Sequence, residues 1–485
     1  MRPAPTAVTL TSASITALLL LLSGCSSGLL GNAGPDYQRP AIAGVAGAAA
    51  ATGWQVPQAH AGDPAQLRDW WQQFNDGALT ALLSAAQDNS TSLAQASANI
   101  ARARAEAITA GVANAPSLEA IASANRAALT FTGPLMLRTQ TQLGLQSSWE
   151  IDLFGALARR REAKQASLDA SVARWHEARV SLAAEVASAY VSLRHCQLQL
   201  QQASADSNSR AQSAMLAESA ERAGLQSSAS LALARASAAE GKNNQQRQQL
   251  QCEIALKLLV SLSGMTEEAL RTLMNSTAPA STPALPQPAQ FAIASVPAEV
   301  LRQRPDLAAA ERSMAAANAA ISAAEADRYP RLNLVGNITP TRLIMNSGPA
   351  VSVTTWSITS SLLAPLIDGG RRSANVEAAR ADYRAAESLW RARVRNAVRE
   401  VEEALLQLQS TQARSEDTRL AAEGYRANFL ATETRQRAGL ASRIELEEAR
   451  RLDINARSAV TALTHERVQA WIALYRAAGG GWNAP

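Results

Sequence analysis

Cysteine and histidine are the residues of this sequence best suited to covalent or metal chemistry, and both are scarce. The 485 residues include three cysteines and four histidines, and the histidines show no metal-ligand spacing. His195 directly precedes Cys196, but adjacent side chains diverge on a helix, so this pair is no catalytic dyad. No glycine-rich phosphate loop follows a predicted strand. The sequence therefore predicts no catalytic site, no metal site and no dissociable cofactor, and the chain is not expected to be an enzyme.

The first cysteine lies in the context of a lipidation site. An apolar run, Ile15–Leu22, is too short to span a bilayer of about 30 Å, so residues 1–24 are predicted to be a signal peptide. The sequence Leu-Ser-Gly-Cys, ending at Cys25, resembles a bacterial lipobox, in which cleavage leaves the cysteine as the lipid-bearing N-terminus. Ser26 rather than Asp follows it, which favours sorting to the outer membrane. A chance cysteine beside a signal peptide is the alternative.

The other two cysteines are placed symmetrically about a glycine. Cys196 precedes Gly224 and Cys252 follows it, at equal distances along the chain. If the chain turns at Gly224 into an antiparallel helical hairpin, the two cysteines lie at the same height. The periplasm is oxidising, so we predict a Cys196–Cys252 disulfide. The alternative is a pair of small buried helix residues.

The composition argues against a thick globular core. Only 20 residues are aromatic, about 4 % of the chain, and alanine and leucine are abundant. The 46 basic and 41 acidic residues leave a net charge of +5 and are interspersed, so they do not indicate nucleic acid as a partner. Thin, alanine-rich helical seams are the expected packing.

The chain is an internal duplication. Arg-Ala-Gly-Leu-Gln-Ser at 222–227 recurs as Arg-Ala-Gly-Leu-Ala-Ser at 437–442, and other matches share the same offset. After the signal peptide, we predict a tether at 25–78, repeat one at 79–275, a linker at 276–297, repeat two at 298–478 and a tail at 479–485.

Each repeat is predicted to contain a helix, two strands, a long helix and a return helix. Residues 142–153 alternate apolar and polar side chains, which is typical of a strand. The long helices, without internal proline, would each reach about 100 Å, and their apolar spacing is that of a coiled coil. The helix boundaries expected from the sequence are 79–110, 156–223 and 225–263 in repeat one, and 298–328, 371–438 and 440–478 in repeat two.

Four strands are too few to close a membrane barrel, because known barrels need about eight or more. Open strand edges in lipid are costly, since their N–H and C=O groups have no partner. Either several chains share one barrel, or the strands form a soluble sheet. The long helices and the lipid anchor favour the shared barrel.

Six motifs in a fixed order relate the chain to a known family. They are Trp70–Phe74, Ser148–Gly155, Arg302–Leu307 with Ala310-Glu311, Arg328–Leu332 and the two Arg-Ala-Gly-Leu turns. Together they resemble the TolC-like outer-membrane factors, and specifically the lipidated, NodT-like branch that serves multidrug efflux. The resemblance runs from about Cys25 to Tyr475.

The resemblance implies a homotrimer that is mainly α-helical. Four strands per chain would contribute to a shared 12-stranded outer-membrane β-barrel, and the long helices would form a periplasmic α-barrel. The N-terminal and linker segments would form an equatorial belt around it. The channel would be a passive conduit, lipid-anchored in the outer membrane, with a periplasmic adaptor protein and an inner-membrane RND-type pump as partners.

The resemblance also implies a gate at the periplasmic helix tips. Similar channels narrow their entrance with an apolar and an acidic residue one turn apart, which here are Ile444 and Glu448. Repeat one has Ala229 and Leu233 instead, so three Glu448 side chains would ring the pore and attract cations. A solvated tip carboxylate is the alternative. The expected adaptor contacts are Arg222, Gly224, Leu225, Ser227, Arg437, Gly439, Leu440 and Ser442.

Two other functions stay open at the level of the sequence. Within the family, the chain could be the exit duct of a type I protein secretion system, although the lipobox favours efflux. Outside transport, it could be a periplasmic coiled-coil scaffold lipoprotein, although the alternating strands argue against this. The sequence names neither the transported substrate nor the pump.

Overall fold

The computed structural model describes residues 33–41, 54, 70–130, 135–276, 285–288, 301–346 and 348–482. The predicted signal peptide, the lipidation site Cys25 and most of the predicted linker lie outside these residues.

The elements follow the order that the duplication predicts. Repeat one contains a 3₁₀ turn (Trp70–Phe74), α1 (Gly77–Asn89), α2 (Thr91–Val112), β1 (Ser117–Leu129), β2 (Met136–Ile151), α3 (Ala156–Arg222), α4 (Ser228–Ser263) and α5 (Glu267–Ser276). Repeat two contains α6 (Pro305–Ala326), β3 (Arg331–Met345), β4 (Val351–Leu363), α7 (Arg371–Arg437) and α8 (Arg443–Ala477). We call α3–α4 the first hairpin and α7–α8 the second hairpin. Each long helix has 67 residues, ending one residue before the predicted boundary.

The first helix of each repeat differs from its prediction. The single helix expected over 79–110 is interrupted at Ser90, whose backbone is extended. Its hydroxyl accepts a hydrogen bond from the Leu93 N–H at 3.2 Å, so the serine caps α2 instead of continuing α1. In repeat two, α6 begins at Pro305 because proline suits the first helical position, where no N–H partner is needed.

The four strands form one antiparallel sheet in the order β1-β2-β3-β4. Strands β2 and β3 join the two repeats, with Leu145 opposite Ile338 and Gln146 opposite Asn337. Since side chains alternate and paired residues share a face, the register sorts the residues into two faces. The polar face includes Glu119, Arg138, Gln140, Gln142, Gln146, Glu150, Asn333 and Asn337. The apolar face includes Leu118, Leu143, Leu145, Trp149, Leu334, Ile338, Trp356, Ile358 and Leu362.

The chain divides into two compact units, each of which takes residues from both repeats. One unit contains the sheet and comprises the described residues of Met1–Arg39, Ala101–Asp169 and Glu311–Ser388. Within it, the strands lead into the long helices through aspartate caps. Asp152 accepts a hydrogen bond from the Ala158 N–H at 2.8 Å, and Asp368 accepts from Gly370 and Arg372 at 3.0 and 3.1 Å. These backbone donors, Arg372 first, lower the pKa of Asp368.

The other unit holds the main hydrophobic core. Trp70, from the 3₁₀ turn, is fully buried and stacks on Tyr475 of α8 with ring centroids 5.0 Å apart. The Tyr190 hydroxyl of α3 donates a hydrogen bond to Asp76, which also caps α1. The aromatic motif before the first helix is therefore a packing element. Within the described residues, no helix is both long and apolar enough to cross a membrane.

Candidate functional site

The tip of the first hairpin is a glycine turn. Gly224 has a φ of 68°, the left-handed conformation that glycine adopts without strain. Its N–H donates to the Glu221 carbonyl at 2.9 Å, and the Leu225 N–H donates to the Ala220 carbonyl at 2.8 Å. These bonds close the end of α3. Ser227 then caps α4 by accepting from the Ser230 N–H at 3.2 Å.

The tip of the second hairpin repeats this turn with a stronger cap. Gly439 has a φ of 76°, and the Leu440 N–H donates to the Arg435 carbonyl at 2.8 Å. The Ser442 hydroxyl accepts from the Glu445 N–H at 3.1 Å, and the Glu445 carboxylate accepts from the Ser442 N–H at 2.6 Å. This reciprocal capping box lowers the pKa of Glu445, chiefly through the backbone donor.

Both tips expose the same pair of side chains. Leu225 and Leu440 are 80 % and 72 % exposed, which is unusual for a large apolar residue. Beside them, Arg222 pairs with Glu218, and Arg437 pairs with Glu433 at 3.1 Å. An exposed apolar side chain next to a cation, present twice in each chain, is suited to contact another protein.

The two residues predicted to form a gate lie at the start of α8. Ile444 is 39 % exposed, and Glu448 is exposed one helical turn further on. In the first hairpin the equivalent positions hold Ala229 and Leu233, and Leu233 is 73 % exposed. At these two positions, therefore, the second hairpin presents an accessible carboxylate one turn from an apolar side chain, and the first hairpin does not.

Two buried carboxylates near this tip were missed by sequence reasoning. Glu447 is 4 % exposed, accepts a hydrogen bond from Ser209 of α3 and pairs with Arg450 at 3.2 Å. Asp453 is 1 % exposed and pairs with Arg457 at 3.1 Å and with Arg426 of α7 at 3.3 Å. The i,i+3 spacing of Glu447 and Arg450 and the i,i+4 spacing of Asp453 and Arg457 are the local signals for these contacts. Ser209 and Arg426 come from other helices, and no local pattern points to them.

The structure brings the two remaining cysteines together in the first hairpin. Cys196 of α3 and Cys252 of α4 form a disulfide, with Cα atoms 5.4 Å apart. Both residues are buried, at 6 % and 8 % exposure. The bridge joins the limbs of the hairpin at one height, equally far from Gly224 on each side.

Within the part of the chain that the structure describes, no group of three or more histidine, cysteine, aspartate or glutamate side chains could hold a metal ion. The fold and the tips define a class of protein. It is a duplicated chain of two long helical hairpins, joined to a four-stranded antiparallel sheet with one apolar face.

Comparison with known proteins identifies this class. The outer membrane efflux protein family matches residues 82–265 and 296–480. Pyoverdine export outer membrane protein OpmQ of Pseudomonas putida is 30% identical over 451 residues, which are 90% of this chain and 93% of the relative. Nodulation protein T of Rhizobium leguminosarum bv. viciae is 28% identical over 430 residues, which are 88% of this chain and 86% of that relative. The solved outer-membrane channel OprN matches with a TM-score of 0.76 and 28% identity, covering 93% of this chain and 99% of that chain.

The chain belongs to the outer membrane efflux protein family. The resemblance expected from the six motifs is thereby confirmed. Members of this family are conduits for transport across the outer membrane, so the chain is a channel protein and not an enzyme.

Proposed function

We propose that the chain is one protomer of a homotrimeric exit duct for small molecules. The observation that carries this proposal is the sheet, whose apolar face is exposed and whose edge strands β1 and β4 each have one neighbour. Trp356, at 73 % exposure, is an example of an apolar side chain that a lone chain would leave in water. Three copies joined edge to edge give twelve strands, so every edge is paired and the apolar face meets lipid.

The decisive experiment is gel migration of protein from outer membranes, with and without boiling. A trimer that dissociates only on boiling is expected, because the closed sheet satisfies its own hydrogen bonds. A monomer in both lanes would contradict the shared barrel and favour a periplasmic scaffold.

Ile444 and Glu448 are proposed to form the gate. Their support is the exposure of both side chains on one face of α8, at positions where the first hairpin has no carboxylate. Ile444→Ala with Glu448→Ala is expected to raise single-channel conductance and reduce cation preference, since the substitutions remove bulk and negative charge. Leu233→Ala in the first hairpin is the matched control and should leave both properties unchanged. Unchanged conductance in the double variant would refute the gate.

An adaptor protein and an inner-membrane pump are proposed to act at the tips. The support is the repeated Leu and Arg exposure, including Leu225 and Leu440. A photo-crosslinker at Ser442 in living cells should capture an adaptor that belongs to a proton-driven pump. Capture of an adaptor from an ATP-driven protein exporter would move the function to secretion. The relative named for pyoverdine export supports a small-molecule cargo.

Anchoring in the outer membrane through a lipid on Cys25 is also proposed, on the strength of the lipobox alone. Labelled palmitate should be incorporated into the unaltered protein and not into Cys25→Ser. Equal labelling of the two proteins would contradict this site.

A further inference from the structure

Two arginines interrupt the apolar face of the sheet. The four strands contain six charged residues, and four of them (Glu119, Arg138, Glu150 and Arg331) lie on the polar face. The remaining two are Arg126 of β1 and Arg342 of β3, and both are exposed. In the strand register, Arg126 lies opposite Thr139 and Arg342 lies opposite Thr141. The register therefore brings both arginines to one face, at nearly the same height.

This height coincides with the expected outer boundary of the hydrocarbon layer, an inference that rests on the proposed barrel. On β2, Thr141 lies ten positions before Ile151, which is next to the long helix. At about 3.3 Å per residue and a strand tilt of about 40°, ten residues rise roughly 25 Å, the thickness of a barrel's apolar band. The arginines lie at the end of the sheet opposite the helices, which is the outer leaflet if the helices are periplasmic.

Among the described strand residues, none on the apolar face is an acidic partner for these cations. Both carboxylates of the strands, Glu119 and Glu150, lie on the polar face. Hydroxyl groups accompany the arginines instead, from Thr139, Thr141 and Ser352, the last directly opposite Arg342. Arginine on a lipid-facing surface costs little near the interface, and its planar fork of donors fits phosphate oxygens.

We propose that Arg126 and Arg342 bind the phosphate groups of anionic lipid in the outer leaflet. The two guanidinium groups donate to the phosphate oxygens, and the neighbouring hydroxyls donate to the same headgroup. Three chains place six such arginines around the barrel. The site fixes the depth of the barrel in the membrane and favours phosphorylated lipids over other lipids of the leaflet.

The test uses the purified full-length protein with phosphorylated lipid A and with the same lipid after removal of its phosphates. Native mass spectrometry counts the lipid retained by each oligomer. We expect the phosphorylated form to be retained, and Arg126→Gln with Arg342→Gln to weaken retention about tenfold. Arg138→Gln is the matched control, because Arg138 lies at the same height on the polar face. It should retain the lipid.

Three outcomes would overturn the lipid site. They are equal retention by the double variant, equal loss in Arg138→Gln, and displacement by inorganic phosphate alone, which would indicate an ion site. The oligomer on the non-boiled gel tests the proposed barrel separately. If the unaltered protein forms no oligomer, the proposed function fails; if it does and the double variant keeps its lipid, only the lipid site fails.

Discussion

The two hairpins have the same backbone plan and are held together by different chemistry. In the first hairpin, Cys196 and Cys252 join the limbs covalently. One repeat further on, the same positions hold Thr411 and Arg467, which cannot form such a bridge. The second hairpin relies instead on buried carboxylates such as Asp453, which pairs with an arginine of each limb. Duplication has preserved the fold while the contacts that stabilise it have diverged.

The same divergence is present where each return helix ends. In repeat one, the Asn89 amide donates to the Ser263 carbonyl at 3.1 Å. In repeat two, Arg304 donates to the Ala477 carbonyl at 2.9 Å and also contacts Asp306 and Glu400, at 2.9 and 2.8 Å. A neutral hydrogen bond and a buried ionic cluster thus occupy equivalent places. Burial of Arg304 tends to lower its pKa, but Asp306 and Glu400 raise it overall.

Among the changes that test this comparison, substitution of Arg304 should lower the unfolding free energy most. Arg304→Met leaves two partly buried carboxylates without their cation, so we expect a loss of about 3–5 kcal/mol in unfolding free energy. Asn89→Ala removes one neutral hydrogen bond and should cost about 1–2 kcal/mol. Denaturant unfolding followed by circular dichroism measures both. Equal losses would show that the ionic cluster adds nothing to the neutral contact.

Removal of the disulfide should have the next largest effect. The bridge spans a sequence separation of 56, and loop-closure entropy assigns about 4 kcal/mol to such a loop. Cys196→Ser with Cys252→Ser, or reduction of the native protein, should lower the melting temperature. Thr411→Ser, at the matched position of the second hairpin, should not. Alkylation of both thiols in the native protein, without reductant, would refute the bridge.

Acid should weaken the contact between the two hairpins by a smaller amount. His195 of α3 and His465 of α8 stack with ring centroids 4.3 Å apart. Burial, and then His465, lower the pKa of His195 from 6.5 to about 4. The folded state therefore disfavours protonation of His195. The contribution of this neutral side chain to the free energy of unfolding is fully present above pH 6.5 and is lost as the pH falls towards 4.

His195→Gln should flatten this part of the melting temperature profile, since glutamine does not titrate. His465→Gln should narrow the pH range over which stability is lost, because it removes one of the two causes that lower the pKa of His195. A profile in His195→Gln that keeps the slope of the unaltered protein would assign the acid sensitivity to other groups.

The smallest effects are expected at the helix caps. Ser442→Ala with Glu445→Ala removes both bonds of a capping box, because the hydroxyl of Ser442 accepts one bond and the carboxylate of Glu445 accepts the other. Ser227→Ala removes a single bond from a backbone N–H, because Ser230 stands where the second repeat has Glu445. We expect about 1–2 kcal/mol and about 0.5–1 kcal/mol respectively. Hydrogen exchange of the tip amides would detect the difference. Faster exchange in Ser227→Ala than in the Ser442→Ala, Glu445→Ala double variant would contradict it.

Local signals were sufficient for the elements and their order. A long run without proline predicted each long helix, Gly224 and Gly439 predicted the turns, and Ser442 with Glu445 predicted the cap. The break at Ser90 was missed, although its signal is also local, because a serine hydroxyl competes with the helix only weakly. The helix spacing also placed Cys196 and Cys252 at one height, since both distances were counted from one turn.

The sequence by itself determined the duplication, the long hairpins, the alternating strands and the family, because each depends on residues that are close along the chain. Only the tertiary structure decided which distant groups meet. Glu447 contacts Ser209 across 238 residues, and Arg304 reaches Ala477 across 173. Strand register likewise decided that Arg126 and Arg342 share a face. These contacts depend on how the helices pack and on the register in which the strands pair. The register of a helix or strand against its neighbour can change by one or more residues while the local sequence pattern of each element stays the same.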